Sequence, residues 1–264
     1  NYESFDNNNK ALGFGNEGTE LDWIMKSSKH QIFFYDEGQS VRPSDINKEV
    51  FRSIKYAPNT NLVKLTSQMR SQGGNDYILF IDDLFNMNLK DSNVVYSNPN
   101  YELKLFTHLP DMMAKMSENE KKYGLCRFIA GYSWKWVSKT TKKPDAVIDG
   151  VSLYWNRVPH DWINSTKDLN EIGCIHTAQG YDLNYAGIII GNDIKLNPIT
   201  QEIEVDKSNY YDTKGSVGIN DMNVLKEFIT NIYRTIMYRG IKGTYVYVCD
   251  ENLREYFKKH IETY

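Results

Sequence analysis

The stretch IGCIHTAQGYDLNYAGIII, residues 172–190, decides how this chain is read. A short apolar strand, residues 172–175, runs into the polar turn His176-Thr177-Ala178-Gln179-Gly180, and a continuous apolar run follows at 186–190. An unbroken β-branched run marks a strand covered on both faces, as in a parallel sheet, whereas a half-exposed strand would alternate. Polar residues between two such strands are presented at a strand end, where α/β proteins build sites.

Downstream, residues 220–238 predict the longest helix, ending at Arg239-Gly240, followed by a strand at 244–249 and a closing helix at 251–261. Near the amino end, Leu21, Trp23, Ile24 and Met25 form the apolar stripe of a helix over 18–28. A strand over 31–35 then delivers Asp36-Glu37-Gly38-Gln39. Ser44 caps a helix to residue 57, bracketed by Pro43 and Pro58, and a strand over 62–66 leads to Gln68-Met69-Arg70. An amphipathic helix spans 75–85, and the polar stretch 86–100 reads as a domain connection. Further elements are a helix at 109–122, a strand at 125–132 and a hairpin over 147–155 turning at Asp149-Gly150. Strands alternating with helices imply an α/β fold with parallel sheets.

At 264 residues, 41% hydrophobic and 25% charged, the chain can bury one large core or two modest ones. A net charge of −3 gives no global pull towards a polyanion, so any such contact needs a local basic face. The segment Trp134-Lys135-Trp136, with Lys139, Lys142 and Lys143, is one such face, fit either to stack single-stranded bases or simply to pack. Cys126, Cys174 and Cys249 are widely spaced in apolar surroundings, which points to core positions, a reducing cytoplasm and no metal site. His30, His108, His160 and His260 have no evident partner, and Asp161-Trp162 and Tyr210-Tyr211-Asp212 read as structure. No apolar run approaches the ~20 residues that cross a bilayer. The polar opening NYESFDNNNK, without Met, leads us to expect a longer parent chain.

Gly13-Phe14-Gly15-Asn16-Glu17-Gly18 spells a dinucleotide fingerprint but follows NNNKAL, not a strand, so no NAD binding is expected of it. The phosphate-cradling pattern GxxxxGK[ST] has no match, so the chain alone is expected to be inert towards ATP. Four segments acquire meaning from their order: Asp36-Glu37-Gly38-Gln39, Leu65-Thr66-Ser67-Gln68-Met69-Arg70, His176 to Asp182, and Tyr238-Arg239-Gly240. Singly, each has a plain reading as a solvated turn, a strand end, a loop or a favourable charge at a helix terminus. Together they resemble motifs III to VI of superfamily 1 helicases. The phrases FFYDEGQSVRPSDI, GLCRFIAGYSWKW, DWINSTKDLNEIGCIHTAQGYDLNYAGIIIG and YRGIKGTYVYVCD are similar to the ATP-binding family related to the Schlafen group 3 helicase region. That family pattern tends to have threonine where Tyr238 stands.

The resemblance implies RecA-like parallel sheets: the carboxy-terminal part of a first domain over 1–75 and a fuller second domain over 76–264. It implies a parent helicase or translocase that hydrolyses ATP with magnesium and acts on DNA or RNA. A phosphate-binding loop would lie upstream, where a nuclease domain could also stand, and no tight nucleotide binding is expected of this chain alone. Arg70 and Arg239 would reach the γ-phosphate, and Gln39 would link phosphate to nucleic acid. Asp36, Gln68, Gln179, Gly180 and Asp182 would line the nucleotide, with Asp182 facing the ribose, while His176 and Thr177 would touch nucleic acid. Planar, permanently charged guanidinium groups suit the charge developing on a transferred phosphoryl group. The rival expectation is a nucleotide-switched scaffold or nucleic-acid-binding module that does not hydrolyse ATP.

Overall fold

The computed structural model describes residues 2–46, 48–158, 161–165 and 168–264. In chain order it runs through α1 (Tyr2–Leu12), α2 (Glu20–Ser27), a 3-10 turn (Glu37–Gln39), α3 (Lys48–Lys55), α4 (Gly74–Phe85), β1 (Glu102–Phe106), α5 (Leu109–Tyr123), β2 (Cys126–Ala130), β3 (Ala146–Ile148) and β4 (Val151–Trp155). It continues through α6 (Trp162–Ser165), β5 (Glu171–Gly173), α7 (Ile175–Ala178), β6 (Leu183–Ile190), β7 (Ile194–Leu196), β8 (Ile203–Val205), a second 3-10 turn (Lys207–Asn209), α8 (Met222–Met237), β9 (Gly240–Val248) and α9 (Glu251–Lys258). These elements form two compact units, Asn1–Glu37 and Gly38–Tyr264.

In the first unit α1 and α2 pair, and the indole N–H of Trp23 donates to the buried Asn9 Oδ1 at 2.6 Å. Thr19 caps α2 reciprocally: its hydroxyl accepts from the Asp22 N–H at 3.2 Å and its own N–H donates to the Asp22 carboxylate at 2.8 Å. The GFGNEG stretch joins the two helices. A helix, not a strand, precedes it, so the dinucleotide cradle is not built.

The second unit is α/β, built on a seven-stranded sheet ordered β1-β9-β6-β2-β5-β4-β3. Every neighbouring pair is parallel except the β3–β4 hairpin at the edge. Parallel strands need both faces covered, and their side chains alternate between two cores. Ile188, Ile190, Val246 and Val248 face one core with residues of α4, α8 and α9, whereas Ile189, Tyr245 and Tyr247 face the other with Met112 and Met116 of α5. The hairpin turns at Asp149 and Gly150, whose φ values of 49° and 78° suit a tight two-residue connection. Among the described residues no helix is long and apolar enough to cross a membrane.

Several expected elements take a different form. Residues 31–35 and 62–66 belong to no strand, and Ile32, Phe34, Val63 and Leu65 are each more than three-quarters exposed. An apolar alternation selects extended backbone, but a strand exists only where a neighbour completes its ladder. The helix expected from Ser44 is confined to α3, because the Asp45 carboxylate accepts from the N–H groups of Val41 (2.8 Å) and Arg42 (2.9 Å) and holds a turn there. The strand at 172–175 stops at Gly173, and Ile175 opens α7. The stretch 86–100 is a packed strap: Met87 and Leu89 are buried, and Tyr96 N–H donates to the His260 carbonyl at 2.9 Å. Two features go beyond the expected elements: β1, whose Leu103 and Leu105 alternate inward, and the β7–β8 hairpin.

Candidate functional site

Because β6 and β9 are parallel neighbours, the residues that enter them meet at one edge of the sheet. α8 ends at Met237, and Arg239 follows as the last residue before β9. The tight entry requires Gly240, since a Cβ there would fall 2.2 Å from the Gly243 carbonyl oxygen. Leu183 N–H donates to the Arg239 carbonyl at 3.0 Å, which sets Asp182 beside Arg239. Gly180, at φ 93°, turns the chain between α7 and that position.

Arg70 reaches the same place from a loop. Gln68 Oε1 accepts from Arg70 N–H at 2.7 Å, Asn75 Oδ1 accepts from Gln68 N–H at 2.8 Å, and Gln72 N–H donates to the Ile241 carbonyl of β9 at 2.8 Å. The Arg70 guanidinium pairs with the Asp182 carboxylate, half in solvent, so the pair orients more than it stabilises. Arg239 is 3% exposed, and its Nε is buried without a hydrogen-bond partner. Burial, and then the neighbouring Arg70 charge, lowers its pKa to about 10 against the opposing pull of Asp182. Two guanidiniums facing one carboxylate leave uncompensated positive charge around a buried donor, an arrangement that an anion would complete.

The other predicted residues lie elsewhere. Asp36 is exposed in the first unit; Gln179 and Gly180 are exposed on the chain leading to Asp182. Gln39 is exposed in its 3-10 turn, and the next residue, Ser40, accepts at its carbonyl from Asn231 of α8 at 3.0 Å. His176 and Thr177 follow the carboxyl end of β5, the edge opposite Arg239. The Thr177 hydroxyl closes the first turn of α7, accepting from Cys174 N–H at 2.9 Å and donating to the Cys174 carbonyl at 3.0 Å. His176 lies with Nε2 3.9 Å from the Asp212 carboxylate and its ring 5.8 Å from that of Tyr132.

Trp134 packs beside Trp155 with ring centroids 6.3 Å apart, against the core, while Lys135, Lys139, Lys142 and Lys143 are exposed. Cys126 and Cys174 are buried, and burial, aided by the Glu120 charge, pushes the Cys126 thiol up to about 12, which removes it as a nucleophile. His260 is buried with Nδ1 2.8 Å from the Val94 carbonyl and Nε2 without a hydrogen-bond partner, and His160 lies outside the described residues.

Two buried carboxylates lie at the carboxyl edge: Asp193, which no sequence pattern singles out, and Asp212, whose Tyr210-Tyr211-Asp212 stretch reads as structure. Asp193 follows β6, and its Oδ1 accepts from the hydroxyls of Tyr233 (2.6 Å) and Ser133. Asp212, in the loop between β8 and α8, meets Arg42 at 3.4 Å as well as His176. An acid ahead of a glycine-containing loop, DTKGSVG, was the one available hint.

The model of the family described as Schlafen group 3, DNA/RNA helicase domain, matches residues 7–250. The chain is also 29% identical over 164 residues to the uncharacterized protein YPL245W of Saccharomyces cerevisiae, a stretch covering 59% of this chain and 36% of that relative. No solved structure matches it. With a mostly parallel, helix-covered sheet of the RecA-like kind and a family match along nearly its whole length, this chain belongs to the Schlafen group 3 DNA/RNA helicase domain family.

Proposed function

We propose that this domain works in an ATP-dependent helicase or translocase acting on DNA or RNA, with Arg239 and Arg70 as the groups that stabilise charge on the γ-phosphate. The observation that carries this reading is the buried Arg239 guanidinium, its Nε unpartnered and a second guanidinium beside it. Holding such a cation in a low-dielectric site is costly without an anion, and a transferring phosphoryl group is an anion whose charge spreads during reaction. ATP supplies the phosphoanhydride bond; the chain's own part is to hold Arg239 dry between α8 and β9 and to orient Arg70 through Asp182 and Gln68. On this reading the phosphate-binding loop, whose pattern GxxxxGK[ST] has no match in this chain, comes from another part of the full-length protein.

The test is steady-state hydrolysis by the full-length protein with single-stranded nucleic acid present. Arg239→Ala is expected to lower kcat at least about a hundredfold with little change in KM, the behaviour of a group that acts in the transition state. Hydrolysis at the wild-type rate would instead support the nucleotide-switched scaffold.

A further inference from the structure

Arg239, Arg70 and Asp182 share one place at the sheet edge, but they differ in what can move. Arg239 is buried between the end of α8 and β9, and the Leu183 N–H that donates to its carbonyl at 3.0 Å fixes the backbone of Asp182 beside it. Arg70 is pinned through its own backbone. Its N–H donates to Gln68 Oε1 at 2.7 Å, and Asn75 braces Gln68 by accepting its N–H at 2.8 Å while donating from Nδ2 to the Thr66 carbonyl at 3.0 Å. On the other side of Arg70, Gln72 N–H is held by the Ile241 carbonyl at 2.8 Å. With the backbone fixed on both sides, a change of partner for the guanidinium needs only side-chain rotation, which solvent-exposed residues complete in ps–ns.

The partner of Arg70 in this structure is the Asp182 carboxylate, and both side chains stand partly in solvent. Asp182 also acts on Arg239 as a nearby charge, opposing the lowering that burial and Arg70 impose. An exposed ion pair adds little stability, so a carboxylate that loses its partner there returns to water at small cost. One carboxylate leaves the two guanidiniums short of a negative charge. An anion carrying two or more charges balances them better, and guanidinium forks suit phosphate oxygens.

We propose that Asp182 is a resident counter-ion that a polyphosphate group, as in a nucleoside triphosphate, displaces: the carboxylate holds Arg70 at the site until the ligand arrives, and Arg70 then turns from Asp182 to phosphate. This rests on the anion site of the function proposed above. It differs from the ribose contact that the family resemblance implies for Asp182, because the exchange needs no sugar.

Calorimetric titration of the full-length protein with inorganic tripolyphosphate, which has the charge and no ribose, separates the two roles. Asp182→Asn is expected to bind tripolyphosphate about three- to tenfold more tightly than wild type, since it releases Arg70 and removes a charge facing the ligand. In an Arg70→Gln background the same substitution should gain less than about twofold, because the exchange has lost its guanidinium. A gain that persists in full without Arg70 would mark simple repulsion, and unchanged or weaker binding by Asp182→Asn would mark a sugar contact or a fixed brace. Either result overturns the proposal, as does a lack of binding by wild type and Asp182→Asn alike. If Asp182→Asn does not fold, Asp182→Ser decides by the same criteria. Exchange in a protein that does not hydrolyse ATP would sink the motor reading and leave this inference standing. Hydrolysis that falls with Arg239→Ala, beside an unaltered tripolyphosphate affinity in Asp182→Asn, sinks the exchange alone.

Discussion

At Asp193 burial and hydrogen bonding pull in opposite directions. The carboxylate is 1% exposed, its Oδ2 has no hydrogen-bond partner, and burial pushes its pKa up to about 6 despite the two hydroxyls that donate to Oδ1. The folded state thus holds a proton that the unfolded state, with a carboxylate pKa near ~3.9, releases earlier. Stability from this site is intact below about pH 4, falls as pH rises towards 6, and stays lowered above it, by up to ~3 kcal/mol. Asp193→Asn keeps an acceptor for both hydroxyls and removes the charge. Thermal melts are expected to place it above wild type at pH 8, with the gap closing by pH 4; a lower melting temperature at pH 8 would refute this account. Asp193 was not legible in the sequence and Asp212 was legible only as structure, because each depends on partners brought from distant segments; Arg42 and Asp212 are 170 residues apart. Arg70, Asp182 and Arg239 could be named from motif order, but their proximity rests on the β6–β9 pairing, which no motif specifies.

Elements were legible where burial on both sides left one reading of the pattern. The apolar run at 186–190 became the inner part of β6, and the 220–238 periodicity became α8. Segments 31–35 and 62–66 share the apolar signature but lack a paired neighbour, so the local pattern did not decide sheet membership. The inner strands have little room to change. Gly187 sits in β6 opposite Phe128, where a Cβ would meet the ring at 2.7 Å and the Met116 methyl at 3.2 Å. Gly187→Ala is expected to cost ~1–3 kcal/mol through overpacking, despite the better strand entropy of alanine. Chemical denaturation would read this as a lower midpoint at unchanged slope. A neutral or stabilising result would mean that Phe128 can move aside, and pairing it with Phe128→Leu, which makes room, should then no longer matter.

Across the whole molecule, net charge and local charge argue for different things. The chain carries −3 overall, yet residues 131–144 hold four lysines and no acid. This loop leaves the carboxyl end of β2, the edge where Tyr132 meets His176, and the Asp145 carboxylate clasps it by accepting from the N–H groups of Ser138 (2.7 Å) and Trp155 (2.6 Å). Lys139 lies 5.1 Å over the Trp136 ring, so the indole steadies a cation, while Trp134 packs inward. Under the proposed function, the partially buried indoles favour phosphate contact over base stacking on this loop. Phosphate contacts release counterions, which lowers the log-affinity by ~0.7 per contact for each decade of salt on single strands, whatever the sequence. Reversing Lys139, Lys142 and Lys143 to Glu should weaken single-stranded oligonucleotide binding similarly for pyrimidine and mixed sequences, and flatten the salt slope by ~2. Fluorescence anisotropy titrations at several salt concentrations measure both quantities. Weaker binding at an unchanged slope would mean that the substitutions disturb the fold and that the phosphates lie elsewhere. A loss confined to one base composition would point back to stacking on the tryptophans, since base readout discriminates among sequences and backbone contact does not.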